Sequence, residues 1–346
     1  MRKVLILILV IWALSAPVSA LEIVAPSVPA ASADVMPEDP ETFAEGLWQL
    51  ISAVIVKIRP EIGEAAGVCL SVVAAGLMIS LLQPMVGRGK QVAELICALS
   101  VAALLLQPAK TFINMGVNTI KEMTAYGKLL LPVMTAGLAA QGGITKSAAL
   151  YAGSAVFITV LGNLIAGLMI PVVYIFLALS IGNSAVGEAS LKKFRDMVKW
   201  GATWVLKIGL YVFTGYMSLT GVIAGTADAA ALKVTKSTIS VAVPVIGNIL
   251  SNASETVLIS AALVKNAAGV YGMLAILALC LEPFVRIGVQ FVFLRLTAAV
   301  CGIFATKQTT ELIEDFSSAM ALMLATTGTI CLMLLFSTVC FMKGVS

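Results

Sequence analysis

Histidine is missing from this chain altogether, and charge is scarce: 12% of its 346 residues are Asp, Glu, Lys or Arg. Without histidine there is no Ser–His catalytic pair and no H-E-x-x-H zinc site, since the commonest general base and metal ligand is gone. G-x-S-x-G and G-K-[ST] strings are absent as well, so the familiar acyl-transfer and phosphate-loop chemistries have no foothold. The six cysteines (Cys69, Cys97, Cys280, Cys301, Cys331, Cys340) show no C-x-x-C spacing and sit in apolar runs, where cysteine is a small apolar packer. No cofactor, metal or catalytic residue is therefore expected. A net charge of +4 is too small for a nucleic-acid partner. A soluble domain is about a quarter charged; here 60% of residues are hydrophobic and the mean hydropathy is +1.03. The composition predicts an all-α polytopic membrane protein in a lipid bilayer.

What is present begins with a signal-like start. Arg2 and Lys3 precede an apolar run over 4–14, too short to span a bilayer, and Val18-Ser19-Ala20 offers a small-residue cleavage site. An uncleaved anchor is the alternative. Residues 21–45 are rich in Pro, Ala and acid, which predicts a disordered extracytoplasmic leader. Two apolar runs follow, 65–82 and 91–106, each closing on the string LLQP around a basic loop with Arg88 and Lys90. They read as a hairpin with a cytoplasmic loop.

Residues 109–128 alternate Ile113, Val117, Ile120 and Met123 with Lys110, Asn114, Lys121 and Glu122. That spacing fits an interfacial amphipathic helix or, equally, a helix packed under neighbouring spans. The apolar stretch 129–142 is short for an upright crossing, which suggests a re-entrant or kinked piece. A crossing over 147–169, a further stretch to 181 and a basic loop with Lys192, Lys193, Arg195 and Lys199 complete the first half. The second half repeats the order: a span over 200–220, an amphipathic stretch, a short broken segment at 239–250, a long stretch over 256–281, another from 284 to 303, a polar loop, and a clean terminal span over 319–342.

Prolines mark the two halves alike. Pro132 and Pro171 stand 39 residues apart, as do Pro244 and Pro283, and the pairs are offset by 112. Such spacing in an apolar chain suggests a tandem repeat of helix-breaking positions. Glu282 and Arg286 straddle Pro283 one helical turn apart. Charges at membrane depth pair or line a cavity, so this pair reads as part of a polar conduit or subunit contact, or as a structural ion pair. Arg295 is half a turn out of phase and needs another partner. Asn248, Asn252 and Glu255 form a second polar cluster after Pro244, and Lys265 interrupts the stretch that follows.

The run Gly225-Thr226-Ala227-Asp228, the string VPVIGNILSNASETVL and the LEPFVRI stretch resemble the stage III sporulation protein AE family, most specifically over 215–305. The resemblance implies a mother-cell membrane protein around the engulfed forespore. It implies a non-enzymatic subunit of a channel- or secretion-type complex, working with other membrane and ring-forming subunits and, indirectly, a forespore membrane partner. A stand-alone transporter of a small solute and a scaffold recruiting ring-forming partners are the competing readings. The expected organisation is a signal peptide (1–20), leader and first helix (21–60), transmembrane hairpin (61–108), membrane repeats (109–200 and 201–305), and a polar loop with a terminal helix (306–346).

Overall fold

The computed structural model describes residues 26–29, 32–37, 42–82, 90–242 and 247–343, with side chains left out over 221–265. Among these residues every regular element is a helix. They are α1 (Phe43–Leu82), α2 (Lys90–Ala140), α3 (Ile144–Leu164), α4 (Ile170–Val186), α5 (Ala189–Ala242), α6 (Gly247–Cys301) and α7 (Lys307–Met342). A single π-helical turn, Ile165–Met169, joins α3 to α4, and Pro171 sits in the first turn of α4, where its missing N–H matters least. α3 and α4 thus act as one continuous element. Among the described residues, five stretches are long and apolar enough to cross a membrane: Phe43–Met78, Glu94–Ala140, Ile144–Val186, Asn266–Cys301 and Lys307–Met342. The chain is a multi-pass membrane protein.

The helices alternate in direction. At one end, Ser80 donates to the Phe304 carbonyl at 2.8 Å, Thr309 to the Cys97 sulfur at 3.4 Å and Ser184 to the Gln308 carbonyl at 3.1 Å. These bonds gather the end of α1, the start of α2, the end of α4 and the α6–α7 turn. At the other end, Lys146 Nζ donates to the Lys343 carbonyl at 3.3 Å.

Several expectations are revised. Pro108 and Pro132 do not end helices: both lie inside the 51-residue α2, about 75 Å long at 1.5 Å per residue. The expected short or re-entrant piece at 129–142 is the last part of α2, with Leu130, Leu131, Met134 and Leu138 all buried. Proline removes one intrahelical bond, but an apolar face that stays in register keeps α2 packed on both sides of it. Of the two readings of 109–128, the packed helix is the one observed, with Ile113, Ile120 and Met123 buried. The leader expected to be disordered is ordered in part. Residues 32–36 turn back onto α1 and α6, burying Ser32 and Val35. Val35 joins Leu50, Val54 and Ile58 of α1 against Leu274 and Ala278 of α6, so hydrophobic burial offsets the cost of ordering this turn. Pro283 lies inside α6, and Pro244 is outside the described residues.

α7 is the helix against which most others pack. Its stretch from Phe316 to Met342 carries no charge, and its buried hydroxyls bond locally: Thr338 to the Leu334 carbonyl at 2.9 Å and Thr329 to that of Ala325 at 2.7 Å. Ser337 meets Ser154 of α3 at 2.6 Å. Lipid provides no hydrophobic drive between helices, so association relies on close approach at small residues. Gly116 and Gly127 of α2 supply it, accepting Met323 and Leu334 of α7, and Gly272 of α6 accepts Leu130. The cysteines are unpaired, and all but Cys340 are buried.

This packing makes a prediction. Gly127→Val should destabilise the protein by about 1–3 kcal/mol through overpacking, and adding Leu334→Ala should recover part of the loss. SDS titration of the purified protein in micelles reads both; equal midpoints for Gly127→Val and wild type would refute the notch.

Candidate functional site

Lys57 and Glu61 lie four residues apart on α1, so one face of that helix presents both. The same face packs on α6 at Glu282 and Arg286. Arg286 bridges Glu282 and Glu61, both at 2.7 Å. Lys57 reaches Glu282 at 2.9 Å and Asp34 of the leader turn at 2.8 Å. The result is a chain of alternating charge, Asp34–Lys57–Glu282–Arg286–Glu61, tying the leader and α1 to the middle of α6. Asp34 is exposed, and the hydrogen bond from Lys57 holds its carboxyl below the usual range.

The depth of this network follows from its neighbours. A methyl group on Gly116 would meet both Met323 of α7 and Ile287 of α6, so Arg286 sits level with the uncharged stretch of α7. Charges at that depth are costly unless paired or hydrated; here they are paired, and open volume lies beside them. One cavity, about 450 Å³, is lined by Ser32, Asn114, Asn118, Glu122, Glu282 and Arg286, among others. A second, about 350 Å³, is lined by Glu61, Glu64, Gln107, Arg286 and Gln290, among others. The two share Thr111, Met115 and Arg286. On α2, Gln107, Thr111, Asn114, Asn118 and Glu122 recur at intervals of 4, 3, 4 and 4, a single helical face. Hydroxyl, amide and carboxylate side chains gathered this way can bind water or a hydrophilic solute. Among the described residues no cluster of His, Cys, Asp or Glu is placed to hold a metal ion.

A second charged cluster lies at the end holding the α6–α7 turn. Arg195 of α5 bonds Asp315 of α7 at 2.5 Å, with both side chains buried, and also reaches Asp196 at 2.9 Å. Lys192 pairs with Glu311 at 2.8 Å, and Lys199 donates to Ser318 at 2.8 Å. No cavity residue belongs to it, so it reads as a latch between α5 and α7.

Of the residues singled out in the sequence, the structure brings Glu282, Pro283 and Arg286 into the cavity. Arg295 is exposed and makes no ion pair among the described residues, so it stands apart. The side chains of Asn248, Asn252, Glu255 and Lys265 lie outside the described residues. The proline positions differ in role: Pro132 is internal to α2, Pro171 begins α4, and only Pro283 borders the site. Sequence reasoning missed Asp34, Lys57, Glu61 and the polar face of α2. The i, i+4 pairing of Lys57 with Glu61 and the 4-3-4-4 spacing on α2 were available signals.

A family model for stage III sporulation protein AE matches residues 41–344. The chain belongs to that family. A relative of the same name from Bacillus subtilis (strain 168) is 25% identical over 211 residues, covering 61% of this chain and 53% of its own length. The chain thus spans about half the length of that curated relative. No solved structure matches. The family match takes in the site's helices, α1, α2 and α6, but not Asp34 of the leader turn.

Removing one half of the Arg195–Asp315 pair should be costly, because it strands a buried charge. Arg195→Met is expected to lower stability by about 3–5 kcal/mol, with the double variant Arg195→Met/Asp315→Leu recovering much of it. Unfolding midpoints in micelles would show this; a harmless Arg195→Met would mean the latch is solvated.

Proposed function

We propose that this protein is a non-enzymatic, multi-pass membrane subunit of a sporulation-specific channel- or secretion-type complex between mother cell and forespore. It lies in the mother-cell membrane around the engulfed forespore and works beside other membrane and ring-forming subunits. Membership of a sporulation family supports the process. The observation that carries the membrane role is the polar, charged double cavity between α1, α2 and α6, level with an uncharged helix. A purely structural bundle gains little from four carboxylates, Glu61, Glu64, Glu122 and Glu282, against one arginine and one lysine, whereas a subunit that passes or positions hydrophilic cargo does.

The cavity dimensions, about 450 and 350 Å³, also suit a small solute, which keeps the stand-alone transporter as a second reading. In that case the purified protein alone accumulates a solute in liposomes.

The test of the leading reading is genetic. Deletion should block sporulation after engulfment and leave vegetative growth intact. Complementation with Glu282→Gln or Arg286→Gln should restore membrane insertion but yield markedly fewer heat-resistant spores than wild type, because each leaves a partner in the network without its opposite charge. Normal spore counts from the deletion strain would overturn the proposal, and normal counts from both point variants would remove the cavity from it.

A further inference from the structure

We infer that the two cavities meeting at Arg286 form one hydrated, cation-selective vestibule, closed at its waist by the Arg286 guanidinium acting as a tethered cation. The inference deepens the reading of this cavity as the working part of the membrane subunit and rests on it. Three observations carry it. First, the cavities share Arg286 together with Thr111 and Met115, so the guanidinium stands where one volume passes into the other. Second, the charges do not balance. Asp34, Glu61, Glu64, Glu122 and Glu282 face only Lys57 and Arg286 within the network and its cavities; Lys110 and Lys121 of α2 line neither volume. Third, Gln290 is 2% exposed, lines the second cavity, and its carboxamide has no hydrogen-bond partner among the described residues. Arg286 Nε is likewise buried without a partner. Buried polar groups are satisfied by protein, water or ligand, and here the cavity is the remaining source.

The ligand class follows from this chemistry. Surplus carboxylate in a low-dielectric cleft focuses a negative potential that concentrates cations and repels anions. Neutral amide and hydroxyl groups (Asn114, Asn118, Thr111, Gln290) can replace part of a hydration shell. A small monovalent cation or a protonated amine fits, and Arg286, held between Glu61 and Glu282, already occupies that place with the protein's own charge. Opening then means turning Arg286 away from one carboxylate, which a shift of α1 against α6 would accomplish.

The test uses the full-length protein in liposomes. In Gln290→Cys the new thiol should react with 2-aminoethyl methanethiosulfonate about tenfold faster than with the 2-sulfonatoethyl reagent, after correction for their intrinsic rates, as a focused negative potential requires. Wild type, whose cysteines are buried or half-buried, is the blank. Adding Glu64→Gln and Glu122→Gln should bring the ratio towards one. Thr111→Cys, on an exposed face of α2, permits the same comparison if Gln290→Cys does not fold. A thiol unreactive to both reagents would show a dry cavity, and a faster anionic reagent would show the wrong sign; either overturns the inference. For the waist, Arg286→Gln should raise rubidium efflux over wild type with chloride efflux unchanged, and an unchanged rubidium flux sinks that part. Cation-selective labelling together with normal sporulation in the deletion strain would sink the proposed function alone. A dry cavity in a protein needed for sporulation would sink this inference alone.

Discussion

Everything around the site depends on one electrostatic constraint: a guanidinium at the depth of an uncharged helix must find carboxylate. Arg286 meets it twice, with Glu282 one turn away and Glu61 across the α1–α6 contact. The second partner matters more for the fold. An i, i+4 pair asks nothing of the rest of the chain, but Glu61 commits α1 to lie along α6 in one register. Lys57 then falls opposite Glu282, and Asp34 brings the leader turn over both. Apolar packing of Val35, Leu50, Val54 and Ile58 onto α6 follows the same register. Lipid competes equally well for apolar side chains, so the polar contacts give that register its specificity.

The long helices answer a related problem. A backbone break at membrane depth exposes polar groups that lipid cannot satisfy. α2 avoids the break by running through Pro108 and Pro132, and the α3–α4 element absorbs Pro171 with one π-helical turn. Such turns add a residue to the coil without opening it. The prolines read in the sequence as boundaries are therefore local adjustments inside continuous rods.

Class was legible in the sequence, because composition alone demands lipid, and so was the pairing of Glu282 with Arg286, because two opposite charges one helical turn apart face each other. The rod lengths were not legible. Proline and glycine punctuation indicates local preference, and tertiary packing on α7 overrides it, as Leu130 and Gly272 show by interlocking beyond the expected break. The partners of Arg286 were not legible either. Glu61 is over two hundred residues away, and nothing in a single sequence distinguishes it from Glu64, its neighbour one turn on. Of the polar face on α2, the residue types were visible but their direction was not: the same pattern faces headgroups on an interfacial helix and a cavity on a packed one.

The two charged clusters show what separates a latch from a site. Arg195 and Asp315 are both buried, with side-chain exposures of 7% and 11%, and each finds its charge matched by the other. Asp196 takes the remaining donors of Arg195. None of the three lines the cavities that meet at Arg286. Arg286 is also paired, yet two volumes meet on it, carboxylates outnumber cations around it, and Gln290 points a buried amide at space rather than at protein. Folding alone gains little from that arrangement, because the half-buried and exposed carboxylates beyond those paired add like charge without improving packing. A saturated pair is explained by the fold that contains it; a cluster with carboxylate to spare leaves room for a further occupant, and the sign of the surplus is what makes a cation the occupant proposed for it.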